Sequence, residues 1–236
     1  MRYTNDIFII PTVYPMRRPV KRSYQSTLRT QQAEATTRLI VDAAAELFSE
    51  KGYGAVSLDA VAAAAGVSRA TVFTSAGGKP ALLRAAFRAA FGRAAGAPNV
   101  PMPFVERPRS VEVRARPTVH GYLEGYAGLV TSVFKQMARV YEAIREGARS
   151  DPAVQELWTE VNDERRRGAA TIVADVKSRS RLRPGLDETA AADIVWVLND
   201  PVHYDMLVRV RGWSDEQFQA WLTRALETEL VGRSGL

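Results

Sequence analysis

The chain has 236 residues, of which 46% are hydrophobic and 25% charged, so it can bury one large or two modest cores. It contains no cysteine and only two histidines. This excludes disulfides, zinc ribbons and thiol catalysis, and we expect neither a metal site nor a cofactor. No apolar run approaches the roughly 18 residues of a membrane span. The first residues form a poor signal peptide, so we expect a cytoplasmic protein with no membrane partner.

The net charge of +6 is unevenly distributed, with +5 on residues 1–30, +2 on residues 31–95 and −1 on the remainder. Residues 1–30 contain three prolines and no periodicity, so we predict a basic, disordered arm. A solvated tail and a segment that contacts a polyanion explain this charge equally well. The candidate DNA contacts in the arm are Arg17, Arg18, Lys21 and Arg22. Translation could start at Met1 or at Met16, which opens "MRRPVKR".

Residues 31–95 carry the pattern of several short helices. Apolar residues recur at helical spacing between Ile40 and Phe48, which predicts an amphipathic helix that ends near Gly52. Ser57 and Ser68 each precede a short helical segment and are predicted N-caps. A tight turn at residues 66–67 separates the two segments, and a fourth helix is expected near residues 79–91.

The segment from residue 68 to about residue 74 is short and mostly polar, so it contributes little to a core. A helix, a tight turn and a second short helix describe a helix-turn-helix, whose second helix fits the major groove of DNA. Arginine can reach a phosphate or a guanine edge, and threonine and alanine can contact thymine methyl groups. The candidate DNA-binding residues are Ser57, Ser68, Arg69, Ala70, Thr71, Thr74 and Lys79. An ordinary helical hairpin is the alternative, and a phosphate-binding loop is excluded by Phe73 and Pro80.

Residues 96–117 contain five prolines and are predicted to be a linker or loop. Beyond them, residues 118–236 again show helical periodicity. Expected helix starts are Asp151 followed by Pro152, Asp187, and the capping box of Ser214 and Gln217. The arginines at 165–167 are expected on a solvated helix face. No strand alternation competes with this pattern, so the fold class is all-α.

The run from Arg38 to Phe91 resembles the N-terminal domain of TetR-type transcriptional regulators. It contains "AAAELFSEKGYGAVSLDAVAAAAGVSRATVF", a glycine-containing loop, Lys79 and "ALL". The resemblance implies that the short third helix recognises DNA, that Phe73 packs on the sugar-phosphate backbone, and that Lys79 contacts phosphate. The family usually has tyrosine at the position of Phe73, so a hydroxyl–phosphate hydrogen bond would be missing. The resemblance also implies an effector pocket and a dimer interface in the C-terminal helices.

Bulky amphipathic residues in the C-terminal region could line a mostly apolar pocket with a few polar anchors, although core packing explains each one as well. The candidates are Phe134, Met137, Tyr141, Trp158, Trp196, Asn199, His203 and Tyr204. Two apolar stripes, Ala191–Leu198 and Phe218–Leu226, are predicted to form a four-helix homodimer interface. A dimer would space two recognition helices about 34–36 Å apart, to match successive major grooves.

The sequence therefore predicts an N-terminal helix-turn-helix DNA-binding domain and a C-terminal helical bundle. The expected function is a ligand-responsive regulator, a repressor released from its double-stranded operator by a small apolar or amphipathic effector. Two alternatives stay open, an all-α enzyme and an effector-independent DNA-binding protein. We expect no enzyme activity, because we find no set of convergent acid, base or nucleophilic residues.

Overall fold

The structure, a computed structural model, describes residues 21–94 and 106–231, with side chains from residue 28 to 93 and from 106 to 231. Residues 1–35 and residues 36–236 form two compact units. The described part of the first unit is the beginning of helix α1. Every regular element within the described ranges is helical, which confirms the all-α prediction. None of these helices combines the length and the apolar character needed to cross a bilayer.

The described residues form ten α-helices. In chain order they are α1 (Lys21–Ala55), α2 (Leu58–Ala65), α3 (Arg69–Ala76), α4 (Lys79–Ala94), α5 (Pro108–Arg114), α6 (Val119–Gly147), α7 (Pro152–Lys177), α8 (Glu188–Leu198), α9 (Pro201–Tyr204) and α10 (Asp215–Leu230). A π-helical segment, Asp205–Val210, continues α9.

Helix α1 begins at Lys21, so residues 21–30, predicted to be disordered, are helical. No proline or glycine occurs between residue 21 and Gly52, and glutamine, arginine, leucine and alanine all favour the helix. Periodicity alone missed this segment because its polar residues form no apolar stripe. Residues 1–20 of the predicted arm lie outside the described residues.

The proline-rich segment 96–117 contains helix α5, which the sequence did not predict. Its Pro108 occupies the first helical turn, where a missing backbone N–H removes no helical hydrogen bond. Residues 96–105 lie outside the described part of the chain.

The predicted helix starts agree with the structure. Each capping side chain accepts a hydrogen bond from a backbone N–H in the first turn of its helix; these residues are Ser57, Ser68, Asp151, Asp187 and Ser214. The capping box of Ser214 and Gln217 is complete in both directions. These caps could be predicted because each satisfies groups within its own turn.

Helix α6 is the central element of the second unit. It packs against α4, α5, α7, α9 and α10, and its apolar side chains are buried along most of its length. The core of this unit is one continuous cluster from Ile40 to Val231. Two surfaces follow from this arrangement: the helix-turn-helix of α2 and α3, and the wall that α6 and α7 present to α1 and α4.

Candidate DNA-binding surface and ligand cavity

Helices α2 and α3 form the predicted helix-turn-helix. Gly66 ends α2 in the left-handed conformation, with φ 67° and ψ 31°, and its N–H returns to the carbonyl of Ala62. Glycine adopts this conformation without the steric cost of a Cβ. The chain then turns within two residues, and Ser68 starts α3 by accepting a hydrogen bond from Thr71 N–H at 3.0 Å. The angle between the two helices is therefore set by local interactions.

Helix α3 exposes four of its eight residues and leaves three others half-buried. Val72 is its one buried residue, and burial of a valine contributes about 1.5–3 kcal/mol. Arg69, Ala70 and Thr74 are exposed, and the ring of Phe73 is 60% exposed. A short helix that buries one side chain and exposes a polar face has the form of a recognition helix.

The hydroxyl groups on α3 make hydrogen bonds within the helix. Thr74 Oγ1 donates to the carbonyl of Ala70 at 3.0 Å, and Ser68 Oγ lies 2.8 Å from Thr71 Oγ1. These oxygens keep lone pairs, but the Thr74 proton is already used. Thr74 can therefore offer DNA its methyl group and an acceptor more readily than a donor.

Arg69 pairs with Asp59 across the turn, at 2.6 Å between Nη1 and Oδ2. Both side chains are more than 60% exposed, and such pairs contribute about 0–1 kcal/mol, so a phosphate or a guanine can displace the carboxylate. Periodicity could not reveal this pair, because the two residues lie on different helices.

Lys79 lies at the start of α4 and is partly buried. Its Nζ sits 4.1 Å from the centre of the Tyr53 ring and 3.4 Å from the carbonyl oxygen of Gly54. Burial lowers the pKa of Lys79, while the charges of Glu146 and Asp151 oppose that shift. Lys79 is thus bound to the last turn of α1, beyond the non-helical Gly52, and this contact fixes the position of its ammonium group.

Glu146, near the end of α6, binds the same turn. Its carboxylate accepts hydrogen bonds from Tyr53 N–H at 3.0 Å and from Gly54 N–H at 3.1 Å. A Cβ at position 52 would lie 2.3 Å from Glu146 Oε2, and Gly52 has φ 72°. The positive φ favours glycine at position 52, and a Cβ there would also displace the Glu146 carboxylate. The sequence analysis missed Glu146, because no local signal links residues so far apart in the chain.

Tyr53 makes a second contact with the α6–α7 connection. Its hydroxyl donates to Asp151 Oδ2 at 2.6 Å, and this hydrogen bond holds the pKa of Asp151 below its usual range. Burial and the same carboxylate raise the pKa of Tyr53. A Cβ at Gly147 would lie 2.7 Å from the Tyr53 ring. We call Gly52, Tyr53, Lys79, Glu146, Gly147 and Asp151 the corner cluster.

The basic residues of the arm cannot be placed on this surface. Arg17 and Arg18 lie outside the described residues. Lys21 and Arg22 occupy the first turn of α1, and their side chains also fall outside the described part. Their contact with DNA stays a prediction.

A cavity of about 1170 Å³ opens between α1, α4, α6 and α7. Its floor is apolar and comes mainly from α6 and α7. Three of the eight predicted pocket residues line it: Phe134, Met137 and Asn199. This volume slightly exceeds the range, about 300–1,000 Å³, that is usual for small-molecule sites.

The other five predicted pocket residues do not line this cavity. The rings of Tyr141 and Trp158 pack against each other at 5.2 Å between centroids. The Tyr204 hydroxyl donates to Asp215 at 2.7 Å. His203 Nε2 lies 3.0 Å from the carbonyl oxygen of Val197. These groups have partners within the chain, and residue type alone did not separate them from the cavity wall.

The fifth of these residues is Trp196, and its surroundings correct the prediction made for Arg165. The guanidinium groups of Arg165 and Arg166 both lie 5.2 Å from its ring centre. Arg165 was expected on a solvated face, but its side chain is 12% exposed and lies against the end of α8. The reason is the break before Pro201, which leaves the last carbonyls of α8 without helical partners.

Arg165 supplies those partners. It donates to the carbonyls of Trp196 at 2.8 Å and Asn199 at 2.9 Å, and to the hydroxyl of Tyr141 at 3.0 Å. Its Nη2 also lies 3.2 Å from Asp200 Oδ2. Arg165 and Asn199 both line the cavity, so this polar group forms part of its wall.

The apolar stripes predicted for dimerisation lie largely inside the protomer. Ala191, Val195, Phe218, Leu222 and Leu226 are all buried in its core. Periodicity identified the apolar faces but could not tell an internal contact from one between protomers. Exposed apolar side chains on α8 and on the π-helical segment offer a different surface: Val197, Met206 and Val210.

Within the described ranges, no group of three or more histidine or acidic side chains is arranged to hold a metal ion. The two histidines contact different residues: His120 binds Glu227, and His203 packs on Trp221.

The fold and the exposed helix α3 define a helix-turn-helix protein with an all-α C-terminal region. Residues 40–86 match the family model of bacterial regulatory proteins of the tetR family. No curated protein sequence matches the chain. The family match and the shared fold confirm the resemblance to TetR-family transcriptional regulators.

Solved structures of regulators share this fold over most of the chain. A transcriptional regulator of Saccharomonospora viridis, solved with choline, has TM-score 0.65 and 19% identity, covering 85% of this chain and 100% of that one. A TetR-family regulator of a Rhodococcus species has TM-score 0.63 and 16% identity, covering 83% and 98%. NalD of Pseudomonas aeruginosa, the secondary repressor of the MexAB-OprM multidrug efflux pump, has TM-score 0.60 and 21% identity, covering 85% and 99%.

Proposed function

We propose that this protein is a dimeric repressor that binds operator DNA through α3 and releases it when a small molecule occupies the cavity. The observation that carries the proposal is the exposure of α3, which buries Val72 alone. Residues 31–95 would form the DNA-binding domain, and residues 118–236 the domain for effector binding and dimerisation.

In this proposal, Arg69 reaches a base edge or a phosphate, while Thr71, Thr74 and Ala70 face the major groove. Phe73 packs on the sugar-phosphate backbone, and Lys79 contacts a phosphate from its place beside Tyr53. The N-termini of α2 and α3, capped by Ser57 and Ser68, offer backbone N–H groups to phosphates. The arm residues add further phosphate contacts.

Dimerisation would pair two copies of the chain through α8, the π-helical segment and α10. Val197, Met206 and Val210 support this surface, because large apolar side chains that remain exposed are typical of interfaces. The partner surface would be the same patch on the second copy, related by a two-fold axis.

Release of DNA would follow from a population shift. An effector that binds better to the conformer with wrongly spaced recognition helices lowers operator affinity by its differential binding free energy. The cavity supports this step, because it offers an apolar floor and polar anchors within the same unit as the helix-turn-helix.

The test is to select fragments of the source genome with purified full-length protein and to measure binding of the enriched duplex by fluorescence anisotropy. We expect a palindromic site bound by a dimer. Arg69→Ala should cost about 1–3 kcal/mol and relax preference at one base pair if Arg69 contacts a base. A monomer that binds no duplex at low ionic strength would refute the proposal.

The two alternatives make different predictions. An effector-independent DNA-binding protein would bind DNA equally with and without every cavity ligand. An all-α enzyme would bind no duplex selectively. Deleting residues 1–20 tests the arm separately, because each lost phosphate contact should reduce the slope of log affinity against log salt by about 0.9.

A further inference from the structure

The cavity wall carries an excess of positive charge. Among the described residues, six arginines line it against three carboxylates, and one of the six, Arg165, is paired with Asp200, which does not line it. Asp42 pairs with Arg93 at 2.8 Å, and Glu160 pairs with Arg84. Since two of the three carboxylates already have arginine partners, the wall as a whole favours an anion over a cation.

One of these arginines is deeply buried. Arg107 is 7% exposed, and its guanidinium lies 4.9 Å from the centre of the Phe91 ring. Burial lowers the pKa of Arg107, while the charge of Glu164 opposes the shift. The Arg107 guanidinium therefore adds to the positive charge of the cavity wall.

A polar anchor lies at the break between α8 and α9. Arg165 Nε and Asn199 Oδ1 are buried polar atoms that have no hydrogen-bond partner among the described residues. The two residues are joined, because Arg165 Nη2 donates to the Asn199 carbonyl at 2.9 Å. Guanidinium N–H groups match the oxygens of a carboxylate, and the Asn199 amide can turn to present its N–H₂.

Gly168 leaves open space beside this anchor. It lies in the interior of α7 and lines the cavity, yet a Cβ at this position would meet no atom of the described residues within 4 Å. Glycine in a helix interior costs about 1 kcal/mol relative to alanine. Packing among the described residues does not require this glycine, whereas a ligand lying across α7 would use the space.

We propose that the cavity binds an amphipathic carboxylate. The Arg165 and Asn199 side chains would turn toward the cavity that both residues line, and the carboxylate would accept hydrogen bonds from Arg165 Nε and from the Asn199 amide. The apolar body would lie over Gly168, against Val130 and Phe134 of α6 and Ile172 of α7. This inference rests on the proposed function in taking the cavity as the effector site, and it adds the chemical class of the effector.

The test compares three amphiphiles of equal chain length by isothermal titration calorimetry on the full-length protein, each below its aggregation concentration. The probes are dodecanoate, dodecan-1-ol and dodecyltrimethylammonium. We expect dodecanoate to bind about tenfold more tightly than the alcohol, because hydrogen bonds to charged groups are the stronger ones, and the cation to bind weakest. Equal affinities for the acid and the alcohol, or a preference for the cation, would overturn the proposal.

Two variants locate the binding site. Gly168→Phe fills the space over α7 and should abolish dodecanoate binding, whereas Ala170→Phe, at an exposed position of the same helix that does not line the cavity, should retain it. Asn199→Asp keeps the shape of the side chain but adds a negative charge. It should weaken dodecanoate about tenfold and change the alcohol by less than about twofold. Unfolding temperatures establish whether each variant is folded. If Gly168→Phe does not fold, Asn199→Asp still tests the site.

The outcomes separate this inference from the proposed function. If the wild-type protein binds its operator but binds the three probes with equal affinity, the carboxylate inference fails and the regulator proposal stands. If Gly168→Phe binds dodecanoate like the wild type, the site is elsewhere and the inference also fails. If no operator is bound at all, the proposed function fails whatever the probes do.

Discussion

Replacement of Glu146 by alanine tests the corner cluster most directly. The carboxylate accepts from Tyr53 N–H at 3.0 Å and from Gly54 N–H at 3.1 Å. Tyr53 is buried, so its N–H would lose its acceptor out of reach of bulk water, while the exposed Gly54 N–H could turn to solvent. Leaving one buried donor without a partner costs about 1–3 kcal/mol. We therefore expect Glu146→Ala to reduce the free energy of unfolding by about 2 kcal/mol.

The matched control is Glu142→Ala, one turn earlier on the same helix. Glu142 is exposed and pairs with Arg145 at 2.9 Å, and such a pair contributes about 0–1 kcal/mol. Urea unfolding measures the free energy of unfolding of both variants and thermal unfolding measures their melting temperatures, each followed by circular dichroism. For a chain of this size, the Glu146 variant should melt about 4–8 °C below the wild type, since each kcal/mol corresponds to about 2–4 °C. Equal stability of the two variants would refute the role assigned to the Glu146 carboxylate.

Three further predictions concern other sites. Asp59→Asn removes the carboxylate that pairs with Arg69 beside α3. We expect duplex affinity, measured by anisotropy at fixed salt, to rise by up to about fivefold. An unchanged affinity would contradict this prediction. Gly168→Ala should raise the melting temperature by about 2–4 °C, because an interior glycine costs about 1 kcal/mol; a lower value would mean that the position is not open. Lys135 and then Tyr204 hold the pKa of Asp215 below its ordinary value, so the stability they add is present above about pH 4 and is lost as the pH falls through the lower folded value. Tyr204→Phe should therefore show a shallower loss of unfolding free energy on acidification than the wild type, and parallel curves would exclude this contribution.

The helix-turn-helix could be predicted from sequence because its signals are local. Ser57, Gly66 and Ser68 each act on backbone groups within their own turn, and the structure places all three as expected. The same holds for Asp187 at the start of α8. Where a residue acts on its own turn, sequence spacing carries enough information.

The cavity could be predicted only in part, because its wall depends on how the helices pack. Phe134 and Met137 line it, whereas Tyr141, one turn further along α6, faces Trp158. Residue size does not distinguish these positions. Arg165 was misplaced for the same reason, since its partners become available only where α8 ends beside α7.

Helix α6 connects the cavity with the corner cluster, and this suggests how an effector could act on DNA binding. Met137 lines the cavity, and Glu146 lies about 14 Å further along the helix axis at 1.5 Å per residue. If α6 has two positions, a ligand that prefers one of them also shifts the turn that Glu146 holds, and with it Lys79. We expect Glu146→Ala to bind a cavity ligand as tightly as the wild type while the ligand lowers operator affinity less. Operator titrations with and without saturating ligand measure this coupling in both proteins. An undiminished ligand effect in the variant would show that the coupling runs through other contacts between α4 and α6.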